Sequence, residues 1–295
     1  MPQFDALGLS AHKEFIHFGL TSQDVNNTAV PLAMKHAIKE VYLPTLRKFV
    51  AQLKSCAIEW DKYPMLARTH GQPATPTRLG KEMMVFIERI ENQVKLLEAI
   101  PIGCKLGGAT GVMAAHYVAF PDVEWDTVFN GLCARLGLAR QQYTTQIEHY
   151  DNMGATCDNM GRINTILIDF CRDMWMYVSL GYFTQTVIKT EVGSSAMPHK
   201  VNPIDFENGE GNYGVANAVF AHLSAKLPIS RMQRDLSDST VIRNLGVPFG
   251  HSVLGIKSTM RGLGKMNVNA SKLHDDLEVW YHRFTTTNAR IQNRR

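Results

Sequence analysis

The sequence predicts an all-α protein built as a bundle of long helices. Apolar residues recur at three- and four-residue spacings through several long stretches, whereas the alternation typical of strands is weak and short. The composition is that of an ordinary globular protein, with 45% hydrophobic and 20% charged residues, which excludes a disordered chain. At 295 residues the chain is long enough to bury a sizeable core.

The first two predicted helical stretches are Val30–Trp60 and Arg78–Ile100. Pro44 lies inside the first stretch, and proline cannot donate a helical hydrogen bond, so we expect a kink or a break near Tyr42–Leu43. The second stretch carries one continuous apolar stripe, which is typical of a helix that packs one face on a core.

The third stretch, Met160–Val187, is apolar on nearly every side. Such a helix is expected to be buried all round, either inside a large bundle or between subunits. Two further stretches, Tyr213–Leu227 and Thr240–Lys265, complete the predicted bundle. Thr144–Ile147 is the best of the weak strand signals.

Charge and cysteine usage restrict the partners and the compartment. The formal net charge is +4, and no block of consecutive Lys/Arg stands out apart from the final Arg294-Arg295, so a nucleic-acid partner is not indicated while a small anionic substrate fits. The five cysteines are scattered singly, which argues for reduced thiols and against a disulfide framework or a metal site. No signal peptide and no membrane-length apolar run are seen, so we expect a cytoplasmic protein without membrane contact.

Five polar segments interrupt the helical stretches, and functional groups tend to lie on such segments when a rigid scaffold holds them. The segments are His17–Thr28, Ala67–Thr77, Tyr143–Asp151, Glu191–Asn212 and Ser230–Asn244. Five such insertions in one helical chain could together build one site.

The last of these segments carries two arginines close to a serine. Ser239 and Arg243 are four residues apart, so they share a face if the segment is helical, and Arg234 lies just upstream. Guanidinium groups beside neutral donors favour a phosphate or carboxylate clamp. A surface salt-bridge cluster with Asp235 and Asp238 explains the same spacing, and the residues alone leave both interpretations open.

Two other segments carry groups suited to proton transfer. His70 lies in a polar turn, and a histidine side chain can protonate a leaving group near neutral pH; Glu207, an acid of the Glu191–Asn212 segment, could orient it. Ser194 and Ser195 follow Gly193, which lets the backbone approach a ligand closely. No G-x-S-x-G elbow is present, so an acyl-transfer triad is not indicated.

The stretch "GSSAMPHKVNP" resembles the signature loop of the fumarase/aspartase superfamily, whose members cleave C–N or C–O bonds by β-elimination and release fumarate. Five further stretches narrow the resemblance to the adenylosuccinate lyase branch. They are "IDFENGEGN", "ARTHGQPATPT", "FGLTSQDVNNT", "YTTQIE" and "QRDLSDSTVIRNLG". The resemblance runs in collinear order from about Phe15 to about Leu277.

The resemblance implies a set of catalytic residues. Aligned on Lys200 six residues later, Ser194 matches the serine that removes a proton from the β-carbon of the succinyl group. Lys200 and Asn202 match residues that bind the succinyl carboxylates and stabilise the carbanion, where a cation offsets concentrated negative charge. His70 matches the general acid that protonates the departing nitrogen, and Glu207 matches its partner.

The resemblance also implies substrate contacts to the succinyl, base and phosphate groups. Residues that match holders of the succinyl and base moieties are Thr69, Thr21, Ser22 and Gln146, with a backbone contact at Met197. Residues that match the phosphate site are His17, Arg234, Ser239 and Arg243.

The implied activity is cleavage of adenylosuccinate to AMP and fumarate. The family also cleaves succinylaminoimidazole-carboxamide ribotide to aminoimidazole-carboxamide ribotide and fumarate. The family uses no cofactor and forms homotetramers in which subunits share each site. We expect residues 15–277 to form the central helical-bundle catalytic domain, with a remnant of the N-terminal domain up to about residue 28. Residues 1–14 and 278–295 are expected to be divergent ends that replace family segments.

Two other interpretations stay open. A sister lyase of the superfamily, such as one acting on argininosuccinate, fits the loop. Its substrate, however, has no phosphate for the clamp to bind. An inactive subunit that assembles with full-length copies would also keep the central bundle.

Overall fold

The structure is a computed structural model that describes residues 2–186 and 201–292, with side chains described as far as Tyr281. Its α-helices are α1 Pro2–Ala6, α2 Ser22–His36, α3 Leu43–Trp60, α4 Leu79–Ala99, α5 Ala114–Ala119, α6 Trp125–Leu136, α7 Asp151–Ser179, α8 Ile204–Lys226, α9 Ser237–Ile242, α10 Gly246–Leu263 and α11 Ala270–Gln292. A 3-10 helix spans Ser10–His17, and a π-helical segment spans Ala37–Tyr42.

The strands are short and pair only two at a time in the described part of the chain. They are β1 Pro64–Thr69, β2 Gln72–Arg78, β3 Gly103–Cys104, β4 Ala139–Arg140, β5 Phe183–Gln185 and β6 Met266–Val268. β1 and β2 form an antiparallel hairpin, β3 pairs with β4 in parallel, and β5 pairs with β6 antiparallel. The all-α fold class is confirmed, with strands as minor additions.

The chain divides into two compact units. The first unit contains Met1–Val41, Leu96–Met160 and Val219–Gly246, and the second contains Tyr42–Lys95, Gly161–Ala218 and Val247–Arg295. In the first unit a buried cluster surrounds β3 and α6, and it includes Cys104, Leu106, Met113, Phe129, Cys133 and Leu138. Burial of apolar surface of this kind is the main contribution to the stability of such a unit.

The second unit has an aromatic core centred on Phe170 of α7. Its ring lies 5.5 Å from Phe49 of α3, 5.3 Å from Phe86 of α4 and 6.2 Å from Phe206 of α8, each at a steep interplanar angle. Edge-to-face aromatic pairs add to the stabilisation that burial alone provides. One ring therefore fixes the packing of four helices.

The predicted break near Pro44 is confirmed. α2 ends at His36, a π-helical segment follows, and α3 begins at Leu43 with Pro44 in its first turn. Proline is tolerated there because the first amides of a helix have no intrahelical partner. The predicted helix Arg78–Ile100 is confirmed as α4.

The prediction for Met160–Val187 is wrong at both ends, whereas its burial between subunits stays a prediction. α7 begins at Asp151 and ends at Ser179. It ends there because Gly181 adopts a φ of 76° and the Tyr182 amide bonds to the Tyr177 carbonyl. This arrangement is a glycine-based helix stop. Within this chain the helix is not buried all round. Arg162, Thr165 and Asp169 are exposed, and so are Trp175 (41%) and Met176 (50%).

Several features at the polar segments differ from the predictions. α8 begins at Ile204, so the second half of Glu191–Asn212 is helical despite its glycines. Thr240–Lys265 divides into α9 and α10. The strand predicted at Thr144–Ile147 is absent from the described fold, where the Gln146 amide makes a single bond to the Gln233 carbonyl rather than joining a ladder. Among the described residues no helix combines the length and the apolar character needed to span a bilayer.

Candidate active site

The hairpin of β1 and β2, predicted as a loop over Ala67–Thr77, presents His70 at its tip. Thr69 pairs with Gln72 across a two-residue turn in which His70 has a φ of 53° and Gly71 a φ of 72°. Positive φ at both central residues matches the right-handed twist of the flanking strands. Thr69 and the imidazole of His70 are both exposed, so the turn holds the histidine out from the hairpin.

The N-terminus of α2 places Thr21 and Ser22. The Thr21 amide donates to Oδ2 of Asp24 at 2.7 Å, and its hydroxyl donates to the same oxygen at 3.1 Å. Ser22 is exposed in the first turn, where the unpaired amides of a helix favour an anion. His17 is exposed at the end of the 3-10 helix that precedes this turn.

Arg234 is held by neutral oxygen acceptors. Nη1 donates to Oε1 of Gln146 at 3.0 Å, Nη2 approaches Oγ of Ser239 at 3.4 Å, and Nε donates to the Asp235 carbonyl at 3.3 Å. The buried Gln23 amide faces the same guanidinium, and because arginine only donates, its oxygen is the facing atom, 2.8 Å from Nη2.

Among the residues that the structure describes, no carboxylate pairs with Arg234, so none of them offsets its positive charge. Arg234 and Gln146 line an open cavity of about 540 Å³, together with Ala109, Thr110 and residues 232–236. Ser239 and Arg243 line a second cavity of about 220 Å³, with Gln23 on its wall. The arrangement is suited to binding an anion through oriented guanidinium groups.

The two aspartates considered as salt-bridge partners are engaged elsewhere. Asp235 pairs with Arg231 at 3.0 Å. Asp238 is buried and accepts from the Tyr150 hydroxyl at 3.0 Å. Within the described ranges neither aspartate forms an ion pair with Arg234 or Arg243, so the clamp is favoured over the surface salt-bridge cluster.

A buried polar network that sequence reasoning missed lies beneath this clamp. The Tyr150 hydroxyl accepts from Nδ2 of Asn27 at 2.7 Å while it donates to Asp238. The Oδ1 of Asn27 accepts from the Glu148 amide at 3.0 Å, and Tyr150 adopts a φ of 62°. Burial raises the pKa of Tyr150 well above its usual value, so the hydroxyl keeps its proton and acts as a donor.

Sequence signals for this network are faint. Asn27 lies in the polar segment singled out as functional, but nothing there distinguishes its amide from that of Asn26. His149, next to Tyr150 in the chain, is exposed and bonds through Nε2 to the Tyr143 carbonyl at 2.7 Å. Tyr150 of the "IEHYD" stretch adopts a left-handed backbone conformation, and nothing in the sequence indicates this conformation.

The remaining predicted residues belong to the second unit or lie outside the described residues. Glu207, in the first turn of α8, is exposed and accepts from Nε1 of Trp175 at 3.0 Å. No hydrogen bond joins Glu207 to His70 in the part of the chain that the structure describes, so the predicted pairing stays a prediction. Asn202 is half-buried ahead of α8. Three residues lie outside the described residues: Ser194, Met197 and Lys200.

Comparisons with known proteins match nearly the whole chain. A lyase family matches residues 5–219, and a family described as adenylosuccinate lyase C-terminal matches residues 230–283, which include the clamp. The chain belongs to the lyase family.

Curated relatives of the chain include proteins named adenylosuccinate lyase. The one from Dictyostelium discoideum is 58% identical over 271 residues, covering 90% of this chain and 58% of the relative. Those from Escherichia coli strain K12 and Vibrio cholerae are 48% and 49% identical, covering 92% of this chain and 59% of each relative. The chain thus spans a little under three fifths of the length of these relatives.

Proposed function

We propose that this chain cleaves adenylosuccinate to AMP and fumarate. In the same way it cleaves succinylaminoimidazole-carboxamide ribotide to aminoimidazole-carboxamide ribotide and fumarate. The observation that carries the proposal is the Arg234 guanidinium, which no described carboxylate pairs with and which Gln146, Gln23 and Ser239 orient. A nucleotide monophosphate is the kind of anion that two arginines and a serine bind well. The names of the relatives support the same substrate class.

The proposed chemistry is a β-elimination. Ser194, as its alkoxide, takes the proton from the β-carbon of the succinyl group, and the electron pair is delocalised into the adjacent carboxylate. Lys200 and Asn202 offset the charge that develops there. The C–N bond then breaks, and His70 supplies the proton that the leaving nitrogen takes up. The exposed position of His70 at the hairpin tip supports this role, since the imidazole can reach a substrate outside its own hairpin.

The same proposal includes a homotetramer whose sites combine groups from several copies. Large apolar residues are exposed on four helices of the chain: Met84 (46%), Trp175 (41%), Met176 (50%), Val215 (48%) and Leu254 (56%). Apolar surface of this kind is typical of an interface between subunits. In such an assembly Glu207 of one copy is proposed to orient His70 of another. The free cysteines support a cytoplasmic location.

The test is an absorbance assay for loss of adenylosuccinate, run on the chain alone and on the chain co-refolded with a full-length relative that carries alanine at its catalytic serine. Hybrid assemblies should release fumarate, because this chain supplies Ser194 and the relative supplies a complete framework. Argininosuccinate is the control substrate and should not be cleaved. Absence of fumarate in both arms would contradict the proposal and would favour an inactive subunit.

A variant pair isolates the clamp. Arg234→Lys should weaken AMP binding by tenfold or more, because one ammonium cannot reproduce the planar set of donors. Arg231→Lys is the matched control, since Arg231 is 83% exposed and pairs only at the surface with Asp235. Equal affinities in the two variants would remove Arg234 from the phosphate site.

A further inference from the structure

A lysine and an aspartate form a completely buried ion pair in the first unit. Nζ of Lys105 lies 2.7 Å from Oδ1 of Asp24, and both side chains have no exposed surface. The pKa of Asp24 lies below its usual value: burial alone would raise it, but the ammonium of Lys105 and the amides of Thr21 and Gly107 outweigh burial. Desolvating two charges is costly, so such a pair persists only where its geometry is well satisfied.

The Asp24 carboxylate joins two segments of the first unit. Oδ2 accepts from the amide and the hydroxyl of Thr21, at 2.7 and 3.1 Å, and so fixes the start of α2. Oδ1 accepts from the amides of Gly107 and Gly108, at 2.8 and 3.1 Å, and so fixes a glycine-rich turn. Lys105 completes the arrangement by donating from Nζ to the Gly108 carbonyl.

The turn held in this way continues into the cavity of the candidate site. Gly108 and Gly111 both adopt positive φ, 75° and 81°. A Cβ at Gly111 would lie 2.2 Å from the Thr144 carbonyl oxygen, so the turn packs directly on the segment that carries Gln146. Between these glycines, Ala109 and Thr110 line the same cavity as Gln146 and Arg234.

We propose that Asp24 and Lys105 are positioning residues, which hold Thr21 and the Gly107–Gly111 turn in the placement that a bound dicarboxylate requires. The inference rests on the proposed function and on the family resemblance, which implies that Thr21 is among the residues that hold the succinyl and base moieties. It goes further by assigning two buried residues to the placement of Thr21. The competing interpretation is a pair that stabilises the unit and has no influence on the ligand.

A neutral double variant separates the two interpretations. Lys105→Met alone leaves a buried carboxylate without its cation and should lower the melting temperature by on the order of 10 °C. Asp24→Asn combined with Lys105→Met removes both charges and should recover much of that loss. An asparagine side chain has one acceptor oxygen and an NH₂ donor, so it cannot accept from Thr21, Gly107 and Gly108 together.

Lys265→Met is the matched control. Lys265 lies 2.7 Å from Asp205 in the second unit, and its side chain is 11% exposed. Removing it disturbs an ion pair of the same length and comparable burial without touching Thr21 or the glycine turn. Its melting temperature should fall, whereas binding of ligand at Thr21 should be unaffected.

Two measurements are made on each variant of the full chain. NMR titrations give the affinities for fumarate, which probes the Thr21 contact, and for ribose 5-phosphate, which probes the arginine clamp. Amide hydrogen exchange reports the protection of Thr21, Gly107 and Gly108. For Asp24→Asn/Lys105→Met we expect fumarate affinity to fall at least tenfold, ribose 5-phosphate affinity to stay within threefold, and the three amides to exchange faster.

Fumarate affinity within twofold of the unmutated chain, in a double variant that folds, would overturn the proposal. If the unmutated chain binds neither probe, the proposed function fails, and hydrogen exchange then decides this inference separately. Unchanged protection of Thr21, Gly107 and Gly108 in the double variant would show that the pair does not place them.

Discussion

Replacing Tyr150 by phenylalanine removes one oxygen atom from the buried network beneath the clamp and leaves the ring in place. The hydroxyl makes two hydrogen bonds, at 2.7 Å with Asn27 and at 3.0 Å with Asp238. All three side chains are at most 3% exposed. Oδ1 of Asp238 has no hydrogen-bond partner among the described residues, so the Tyr150 hydroxyl is the one described donor to this carboxylate.

The expected cost follows from these contacts. A hydrogen bond to a charged group contributes about 1.5–3 kcal/mol, and a buried amide left without its partner costs about 1–3 kcal/mol. Because the site can relax and the terms are not additive, we expect the region to lose about 2–4 kcal/mol of stability. Asp238 is the second residue of α9, and the next residue is Ser239 of the clamp. Loss of the bond to Asp238 should therefore also lower AMP affinity severalfold.

Tyr213→Phe in the second unit is the matched control. The Tyr213 hydroxyl is also fully buried, but it pairs at 3.0 Å with the neutral Thr259 hydroxyl, which keeps its own bond to the Gly255 carbonyl at 2.9 Å. Its removal should cost about 1 kcal/mol. Urea-dependent hydrogen exchange on peptides from each unit gives the free energy of opening. A Tyr150→Phe cost within about 0.5 kcal/mol of the control would refute the reasoning, because the charged partner would then contribute nothing; the typical scatter of such comparisons is of that size.

Three further predictions concern the loss of stability at low pH, the phosphate clamp and the catalytic base. His116 is 1% exposed, and burial lowers its pKa below 6.5 despite the bond between Nε2 and the Phe18 carbonyl at 2.9 Å. The unfolded chain therefore takes up this proton first, so stability present above pH 6.5 should decline as the pH falls below that value, and His116→Phe should flatten the decline in urea titrations from about pH 7 to 5. Arg243→Ala should weaken AMP binding about tenfold or more and fumarate binding little, since it removes a charge-assisted contact; equal losses measured by calorimetry would contradict the clamp. Ser194→Ala in an active assembly should abolish turnover and keep substrate affinity within about tenfold, roughly 1.4 kcal/mol, whereas an inactive Ser195→Ala beside an active Ser194→Ala would show that the base is assigned to the wrong serine.

The helices were predictable where the apolar period is regular. α4 agrees with its predicted bounds, and the break before Pro44 follows from the chemistry of proline. α7 was predicted to run too far because its apolar character continues past the end of the helix, into β5, while Gly181 stops the helix through its backbone conformation alone. Apolar content reports burial, and only backbone geometry reports where a helix ends.

The hairpin that carries His70 was not predictable as strands. Pro73 and Pro76 lie in β2, where proline usually argues against a strand, and most of that strand is exposed, so no alternation marks it. In the described fold each of the two strands has only the other as a partner. Some amide positions on β2 therefore need no hydrogen bond to a neighbouring strand, and proline is tolerated there.

The site was predictable at the level of motifs and not at the level of contacts. Ser239 and Arg243 are four residues apart, so a helical spacing argument pairs them, and Arg234 lies just upstream. The contacts of the buried network span 123 residues, from Asn27 to Tyr150, and 88 residues, from Tyr150 to Asp238. Local patterns hold no information on such pairings, because the fold brings the partners together.

The left-handed turn at His70 has a consequence for how substitutions of this residue can be interpreted. With a φ of 53°, the position tolerates histidine, asparagine or aspartate far better than other side chains. Replacing His70 by glutamine, lysine or glutamate would change the acid and strain the backbone by about 1–2 kcal/mol at once. Asparagine keeps the turn while removing the imidazole, and aspartate is the one alternative acid that the turn readily admits. The hairpin therefore narrows the repertoire of proton donors that evolution or design can install at this position.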